Sequence, residues 1–236
     1  ILTRIWVESA SDLENFKLNI SDTSVLGKTD KIRYHFVKGW SALEKKEDDS
    51  ALSSIAIMSL LSTKIDSSDK FRKSIADIYL NSIRGLYAFN KMGFKNSQEY
   101  FEKAIDIEES LNPPTGPPDV IKPIHELYAE ICLKENMLDK AIENFKISLE
   151  RTPNRSMSRL GLARAFRLKG DISSAKYQYE KFAENYEDAS DDPNQAEALS
   201  FLKNNEDISA SMTLSENRPS LKYDDKLKIT QCLPLN

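Results

Sequence analysis

Glycine is scarce in this sequence: the chain of 236 residues contains 7. Glycine-rich loops that cradle phosphates and β architectures with many turns both depend on it, so the scarcity argues against those classes and favours long helices. No apolar run approaches the ~18–20 residues that a transmembrane helix needs. The formal net charge is −4, whereas binding to nucleic acid without sequence preference needs a clustered basic surface. We therefore expect neither membrane insertion nor nucleic-acid binding.

Cysteine and histidine are also rare, with two residues of each. Cys132 falls on the buried side of a predicted helix and Cys232 lies in the C-terminal tail, so we expect no disulfide and interpret Cys132 as a small core residue. This thiol usage suits a reducing compartment, and the cytoplasm is the default location. Since the chain begins at Ile1, we expect a fragment or a processed form. A targeting segment upstream of Ile1 would not be visible in this sequence.

The few candidates for chemistry do not form a recognisable site. His125 lies next to Glu126 and near Glu130, but the helical zinc-protease pattern needs a second histidine four residues after the first, and position 129 is Ala. Neither histidine has a Ser or Cys at a spacing that indicates nucleophilic catalysis. The paired acids at 108–109 fall at a helix end, where we expect a solvated surface. We predict no enzyme activity, no metal site and no cofactor.

What the sequence does contain is a repeat of 34 residues between Ile121 and Asp188. Small and bulky apolar residues recur in register on segments with helical spacing: Ala129 and Ala163, Cys132 and Phe166, Ala141 and Ala175, and Phe145 and Tyr179. Small residues let paired helices approach closely, and large ones fill the space between them. A period of 34 built from two helices is typical of the tetratricopeptide repeat (TPR), which this stretch resembles.

The helical periodicity predicts an all-α fold, a TPR-like solenoid of antiparallel helix pairs with a C-terminal capping helix. We predict the pairs at about 30–62, 70–111, 121–151 and 155–187, and the cap at 193–203. Residues 1–203 would form this single domain, with an amphipathic helix in the first 27 residues. Residues 204–236 are rich in Ser, Asn and Asp, and we predict that they form a disordered tail.

Three local features refine this prediction. Asp30 is the expected N-cap of the first paired helix, and the acidic run at 47–50 is the expected turn to its partner. Gly85 would cost ~1 kcal/mol relative to Ala inside a helix. We therefore expect Gly85 to lie in close contact with the neighbouring helix, at a point where a side chain would clash.

Residues 104–202 resemble the C-terminal part of a mainly bacterial family of TPR proteins that has no established activity. The shared features are an acidic helix end, a Pro-rich loop with Gly-Pro-Pro at 116–118 and Lys-Pro at 122–123, a Glu-Leu helix, a Pro-Asn-Arg turn at 153–155 and the pattern Ser-x-x-Gly-x-Ala-Arg-Ala at 158–165. The resemblance is loose over residues 1–90. It implies a TPR fold and leaves the function open.

The first helix of each pair lines the inside of a TPR superhelix, so its side chains are the candidates for partner binding. A TPR subclass that clamps the carboxylate of chaperone tails carries Lys and Asn there, and this sequence does not, so we do not expect that ligand. One hypothesis is an acidic or C-terminal peptide bound by arginines, with Arg155 and Arg159 nearby; the alternative is that the glutamates simply pair with those arginines. The predicted peptide-binding residues are Glu126, Glu130, Leu160, Arg164 and Arg167.

The Pro-rich segment at 112–123 interrupts the repeats, because five prolines and a glycine cannot continue a helix. It is a rigid spacer, a loop that shapes a site on the concave face, or a polyproline ligand for a partner. The leading functional hypothesis is a non-enzymatic scaffold that binds a protein or peptide through its concave face. The alternative is an enzyme or small-molecule-binding protein with a site beneath this segment, near Glu126, Glu130 and Arg164. A structural role through stacking of repeats is a third hypothesis.

Overall fold

The computed structural model describes residues 23–114, 119–184 and 192–205. In these ranges the chain forms nine α-helices and no β-strand, which confirms the predicted all-α class. The predicted N-terminal helix and residues 206–236 of the predicted disordered tail lie outside the described residues, whereas Asn204, the first residue of that predicted tail, ends the last helix. The helices are α1 (Lys28–Glu44), α2 (Asp48–Thr63), α3 (Lys70–Met92), α4 (Phe94–Glu109), α5 (Ile124–Lys134), α6 (Leu138–Arg151), α7 (Ser156–Lys169), α8 (Ile172–Ala183) and α9 (Pro193–Asn204).

Successive helices pack side by side as pairs. The most extensive contacts join α1 to α2, α3 to α4, α5 to α6 and α7 to α8, and each of these connections is short. Neighbouring pairs meet where α1 and α2 contact α3, where α4 contacts α5, and where α5 and α6 contact α7. Helix α9 packs against α8 at the end of the row. No helix in the described part of the chain is both long and apolar enough to cross a membrane.

The first two helix starts differ from the prediction. Gly27 occupies the N-cap position of α1, and Asp30 lies in the first turn, where its Oδ1 accepts a hydrogen bond of 2.7 Å from Arg33 Nη1. The acidic run predicted as a turn instead begins α2, at Asp48. An acid stabilises a helix N-terminus both as a cap and in the first turn. Composition alone therefore does not distinguish these two positions.

The residues that recur every 34 positions form the core of the last two pairs. Seven of the eight are fully buried, and Phe166 is half-buried; the buried ones are Ala129, Cys132, Ala141, Phe145, Ala163, Ala175 and Tyr179. Burial raises the pKa of the Cys132 thiol to about 11, so the thiol stays protonated and behaves as a small apolar group, as predicted.

Two glycines mark points where helices approach too closely for a side chain. A Cβ atom added at Gly85 in α3 would lie 2.6 Å from Cε1 of Phe101 in α4. A Cβ atom added at Gly161 in α7 would lie 2.2 Å from Cζ of Phe145 in α6. The first contact lies within a pair and confirms the expectation for Gly85; the second lies between pairs. The same contact of a glycine with a phenylalanine thus serves both kinds of interface.

The Gly85 contact leads to a prediction with an unusual sign. In a helix interior, Ala is normally more stable than Gly by roughly 0.5–1 kcal/mol. At Gly85 the added methyl group would push into the Phe101 ring, so we expect Gly85→Ala to destabilise the protein by about 1–3 kcal/mol. Urea unfolding followed by circular dichroism measures the difference. Gly27→Ala is the control for space, because its nearest neighbour would be the Asp30 side chain at 3.6 Å, and it should cost about 1 kcal/mol or less, through the loss of a favoured N-cap residue. A Gly85→Ala protein as stable as the parent would contradict the close contact.

Candidate functional site

The second half of the Pro-rich segment is fastened to α1 and α3. The Tyr79 hydroxyl donates a hydrogen bond of 2.9 Å to the carbonyl of Asp119 and accepts one of 2.9 Å from the amide of Ile121. Arg33 Nη2 pairs with Asp119 Oδ1 at 2.9 Å. Burial raises the pKa of Tyr79 to about 12, so its hydroxyl keeps the donated proton. These contacts hold residues 119–121 in place against α1 and α3, as the rigid-spacer and site-shaping-loop hypotheses both require.

The next residue of this segment, Lys122, begins a buried ionic cluster. Its Nζ lies 2.7 Å from Glu126 Oε1 and 2.6 Å from Glu130 Oε1. Arg155, just before α7, binds the same Glu126 carboxylate through Nε at 2.5 Å and Nη2 at 2.9 Å. Ser158 Oγ donates to Glu126 Oε2 at 2.5 Å. The side chains of Lys122 and Glu126 have no exposed surface. The cluster therefore ties the Pro-rich segment to α5 and α7.

Both central charges of this cluster are stabilised by their partners. Burial alone would raise the pKa of Glu126, but Lys122 and Arg155 outweigh it and lower the pKa to about 2. Burial would likewise lower the pKa of Lys122, but Glu126 and Glu130 raise it. A general base works best with a pKa near the ambient pH. Glu126 is far from that range, so the arrangement suits a structural cross-link and not proton transfer.

The structure distributes the five predicted peptide-binding residues over three environments. Glu126 and Leu160 have no exposed surface, one in the ionic cluster and the other in the core, so neither is reachable by a peptide. The side chain of Glu130 is 29% exposed and pairs with Lys122. The alternative that the glutamates pair with nearby arginines is confirmed for Glu126 with Arg155.

Arg164 and Arg167 lie at the other end of α7 and share one carboxylate of α9. Arg164 Nη2 is 2.5 Å from Glu197 Oε2, and Arg167 Nη1 is 3.5 Å from Glu197 Oε1. The Tyr179 hydroxyl donates to Glu197 Oε1 at 2.6 Å. Burial would raise the pKa of Glu197, but the Arg164 and Tyr179 hydrogen bonds lower it. The two arginines keep 31% and 41% of their side chains exposed.

A cavity of about 410 Å³ lies beneath the Pro-rich segment, between α3, α4 and the end of α6. This position agrees with the alternative hypothesis, but its residues do not: the cavity is lined by Glu108 and Arg151 in place of Glu126, Glu130 and Arg164. Glu108 was expected on a solvated helix end and is in fact 8% exposed. The signal for its burial was in the sequence, since Glu108 follows Phe101 and Ala104 on one helical stripe. Arg151 carried no comparable signal.

Glu108 and Arg151 link the two sides of the interruption. Glu108 Oε2 accepts a hydrogen bond of 3.2 Å from the amide of Ile124, the first residue of α5. Arg151 Nη2 donates to the carbonyls of Glu108 at 2.6 Å and Leu111 at 3.0 Å, at the end of α4. Burial raises the pKa of Glu108 to about 7, although the Ile124 amide and nearby Arg151 and Arg155 oppose it. The Glu108 carboxyl group therefore titrates near neutral pH.

His125 lies between two polar neighbours. Its Nδ1 is 2.9 Å from Asn144 Oδ1, and its Nε2 is 3.1 Å from Glu109 Oε1. No group of three or more His, Cys, Asp or Glu side chains among the described residues is arranged to hold a metal ion.

Comparisons of this chain with protein-family models, with curated proteins and with solved structures find no match. The TPR relationship therefore rests on the residue patterns alone and is taken up below as a proposal.

Proposed function

We propose that this protein is a non-enzymatic, TPR-like scaffold that binds a protein or peptide partner through its concave face. The observation that carries this proposal is the row of helix pairs packed side by side, with seven of the eight residues that recur every 34 positions buried in its last two pairs. An array built by repetition gains surface with every added pair without needing a single globular core. Such arrays commonly serve as extended binding surfaces for other proteins.

The electrostatics support a binding role over a catalytic one. The most deeply buried charges, Lys122 and Glu126, neutralise each other and hold the structure together. Removing such charges from water is expensive unless they are paired and hydrogen-bonded, and here they are. A scaffold needs this kind of rigidity, because a preformed surface loses less conformational entropy when the partner binds.

The exposed parts of Arg164 and Arg167 are the best-placed groups for an acidic partner. Guanidinium groups bind carboxylates through two parallel hydrogen bonds. Of the two, Arg167 has the longer contact with Glu197, at 3.5 Å, and the larger exposed fraction. A carboxylate from a partner would therefore displace less of the existing structure at Arg167 than at Arg164.

The test neutralises Arg167 and spares Arg164, because Arg164 makes the shorter contact with Glu197 and Arg167 the longer one. Partners are first identified by affinity capture and mass spectrometry. Their acidic segments are then synthesised as labelled peptides and titrated by fluorescence anisotropy. We expect Arg167→Gln to weaken binding roughly tenfold to hundredfold, the range for a hydrogen bond to a charged group. Arg167→Lys should retain part of the affinity, and both variants should melt within a few degrees of the parent. Acidic peptides that bind no better than their Gln-substituted counterparts would refute the proposal.

A further inference from the structure

We infer that the cavity beside Glu108 is a binding site for a small organic amine with an apolar body. We call it the Glu108 cavity. This inference goes beyond the proposed scaffold function and does not depend on it, because the cavity is separate from the arginines at the end of α7.

The size and walls of the Glu108 cavity suit a small molecule. Its volume of about 410 Å³ falls within the range of roughly 300–1,000 Å³ for small-molecule sites. Such sites are mostly apolar with a few polar groups that fix orientation. The apolar wall comes from α3, from the end of α4 and from the Pro-rich segment, and includes Phe71, Ile75, Leu111, Pro113, Val120 and Pro123.

The charges around the cavity favour a cation. The lining contains the carboxylates of Glu108 and Asp119 and the guanidinium of Arg151, and the partners of each decide which charge is left unmatched. Arg151 donates to the two carbonyls at the end of α4, so its charge complements the negative end of the helix dipole. Asp119 pairs with Arg33 at the rim. Glu108 is the remaining charged group of the lining. The amide of Ile124 donates a hydrogen bond to Oε2, one of its two carboxylate oxygens.

A ligand ammonium group would supply what Glu108 lacks. Arg151, Arg155 and Glu126 are charged groups that act on Glu108, and the Arg155 fork is directed at Glu126. Burial without a dedicated counter-ion raises the pKa of Glu108 to about 7, so this carboxylate is only partly ionised at neutral pH. An amine would favour the ionised form and form a charge-assisted hydrogen bond with it. The apolar body of the ligand would then fill the space between Ile75 and Val120.

The experiment titrates the full chain with phenethylamine, with its neutral analogue phenethyl alcohol and with anionic 3-phenylpropanoate, followed by NMR chemical shifts and calorimetry. We expect the amine to bind roughly tenfold to hundredfold more tightly than the alcohol, and the anion to bind most weakly. Glu108→Gln should remove the preference for the amine, because it keeps an acceptor for the Ile124 amide and loses the charge. Glu102→Gln is the matched control, as Glu102 is exposed on the same helix and away from the cavity.

Two further measurements keep the test decisive if Glu108→Gln fails to fold. Affinity of the parent for the amine should rise roughly tenfold between pH 6 and pH 8, as Glu108 loses its proton while the amine keeps its own. Phe71→Ala, at a side chain that is 50% exposed, should weaken the amine and the alcohol equally. Equal affinity for amine and alcohol, an unchanged preference in Glu108→Gln, or no saturable binding of any of the three compounds would overturn the inference. None of these outcomes affects the peptide titrations.

Discussion

Glu126→Ala is expected to destabilise the protein by about 3–5 kcal/mol, the range for breaking a buried ion pair by removing one partner. Glu126 is the carboxylate shared by Lys122 and Arg155. Without it, the buried Arg155 guanidinium loses its two hydrogen bonds to this carboxylate, and Lys122 loses one of its two ion pairs and keeps the one with Glu130. Urea unfolding monitored by circular dichroism at pH 7 measures the change in the free energy of unfolding.

Glu130→Ala is the matched control, because it removes a carboxylate from the same helix and the same lysine. The side chain of Glu130 is partly exposed and Lys122 keeps Glu126, so we expect a loss of less than about 1 kcal/mol. If Glu126→Ala cost no more than Glu130→Ala, the cluster would be behaving like a solvated surface pair.

The same cluster gives the parent a defined response to acid. The pKa of Glu126 is lowered from 4.5 to about 2 in the folded state, so folding favours its ionised form. This contribution is complete above the ordinary pKa and is lost as the pH falls from 4.5 towards 2. Glu108 has the opposite sign, since its raised pKa of about 7 favours the protonated form in the folded state. Its effect on stability is therefore unfavourable above pH 7 and disappears below the ordinary pKa.

Phe145→Ala is the second change with a large expected effect, about 3–5 kcal/mol. The ring has no exposed surface and fills the space beside Gly161, between α6 and α7. Its removal would leave a cavity at the junction of two helix pairs. Because both pairs hold the backbone around this cavity, the structure could collapse into it only in part. Thermal and urea unfolding should both report the loss. Tyr177→Ala is the control, because that aromatic ring is 54% exposed on α8, and it should change stability by less than about 0.5 kcal/mol.

A double-mutant cycle tests whether Gly161 and the Phe145 ring are energetically coupled. Gly161→Ala alone should be destabilising, since the new Cβ would lie 2.2 Å from Phe145 Cζ. In the Phe145→Ala background the clash is absent, so Gly161→Ala should become neutral or stabilising. Additive effects of the two substitutions would mean that the pairs are not joined through this contact.

The helices and their buried faces were predictable because they depend on local periodicity. The 34-residue recurrence located Ala129, Phe145 and Tyr179 in the core, and a helical glycine indicated the close approach at Gly85. Helix starts were less certain, as Asp30 illustrates, because acids favour two adjacent positions there. These are properties of single helices or of adjacent ones.

The environment of the charged residues was not predictable in the same way. Repeat position alone predicts that Glu126 lies on an open inner surface. Its burial depends on Lys122, from an irregular segment, and on Arg155, which is 29 residues away. Repeat position predicts the same surface for Leu160, but tertiary packing places it in the core. No periodicity encodes which irregular segment will cover a helix face.

The attachment of α9 sets a practical limit on how the protein can be shortened. One carboxylate, Glu197, holds two arginines of α7 and the hydroxyl of Tyr179. The ring of Phe201 also lies 4.7 Å from that of Tyr179, centroid to centroid. A truncated chain that stops after α8 would expose the apolar face that α9 covers and two arginines without their carboxylate. The exposed apolar surface promotes aggregation, and the unpaired positive charges promote non-specific binding of acidic proteins. Material prepared for crystallisation or screening should therefore extend through Asn205.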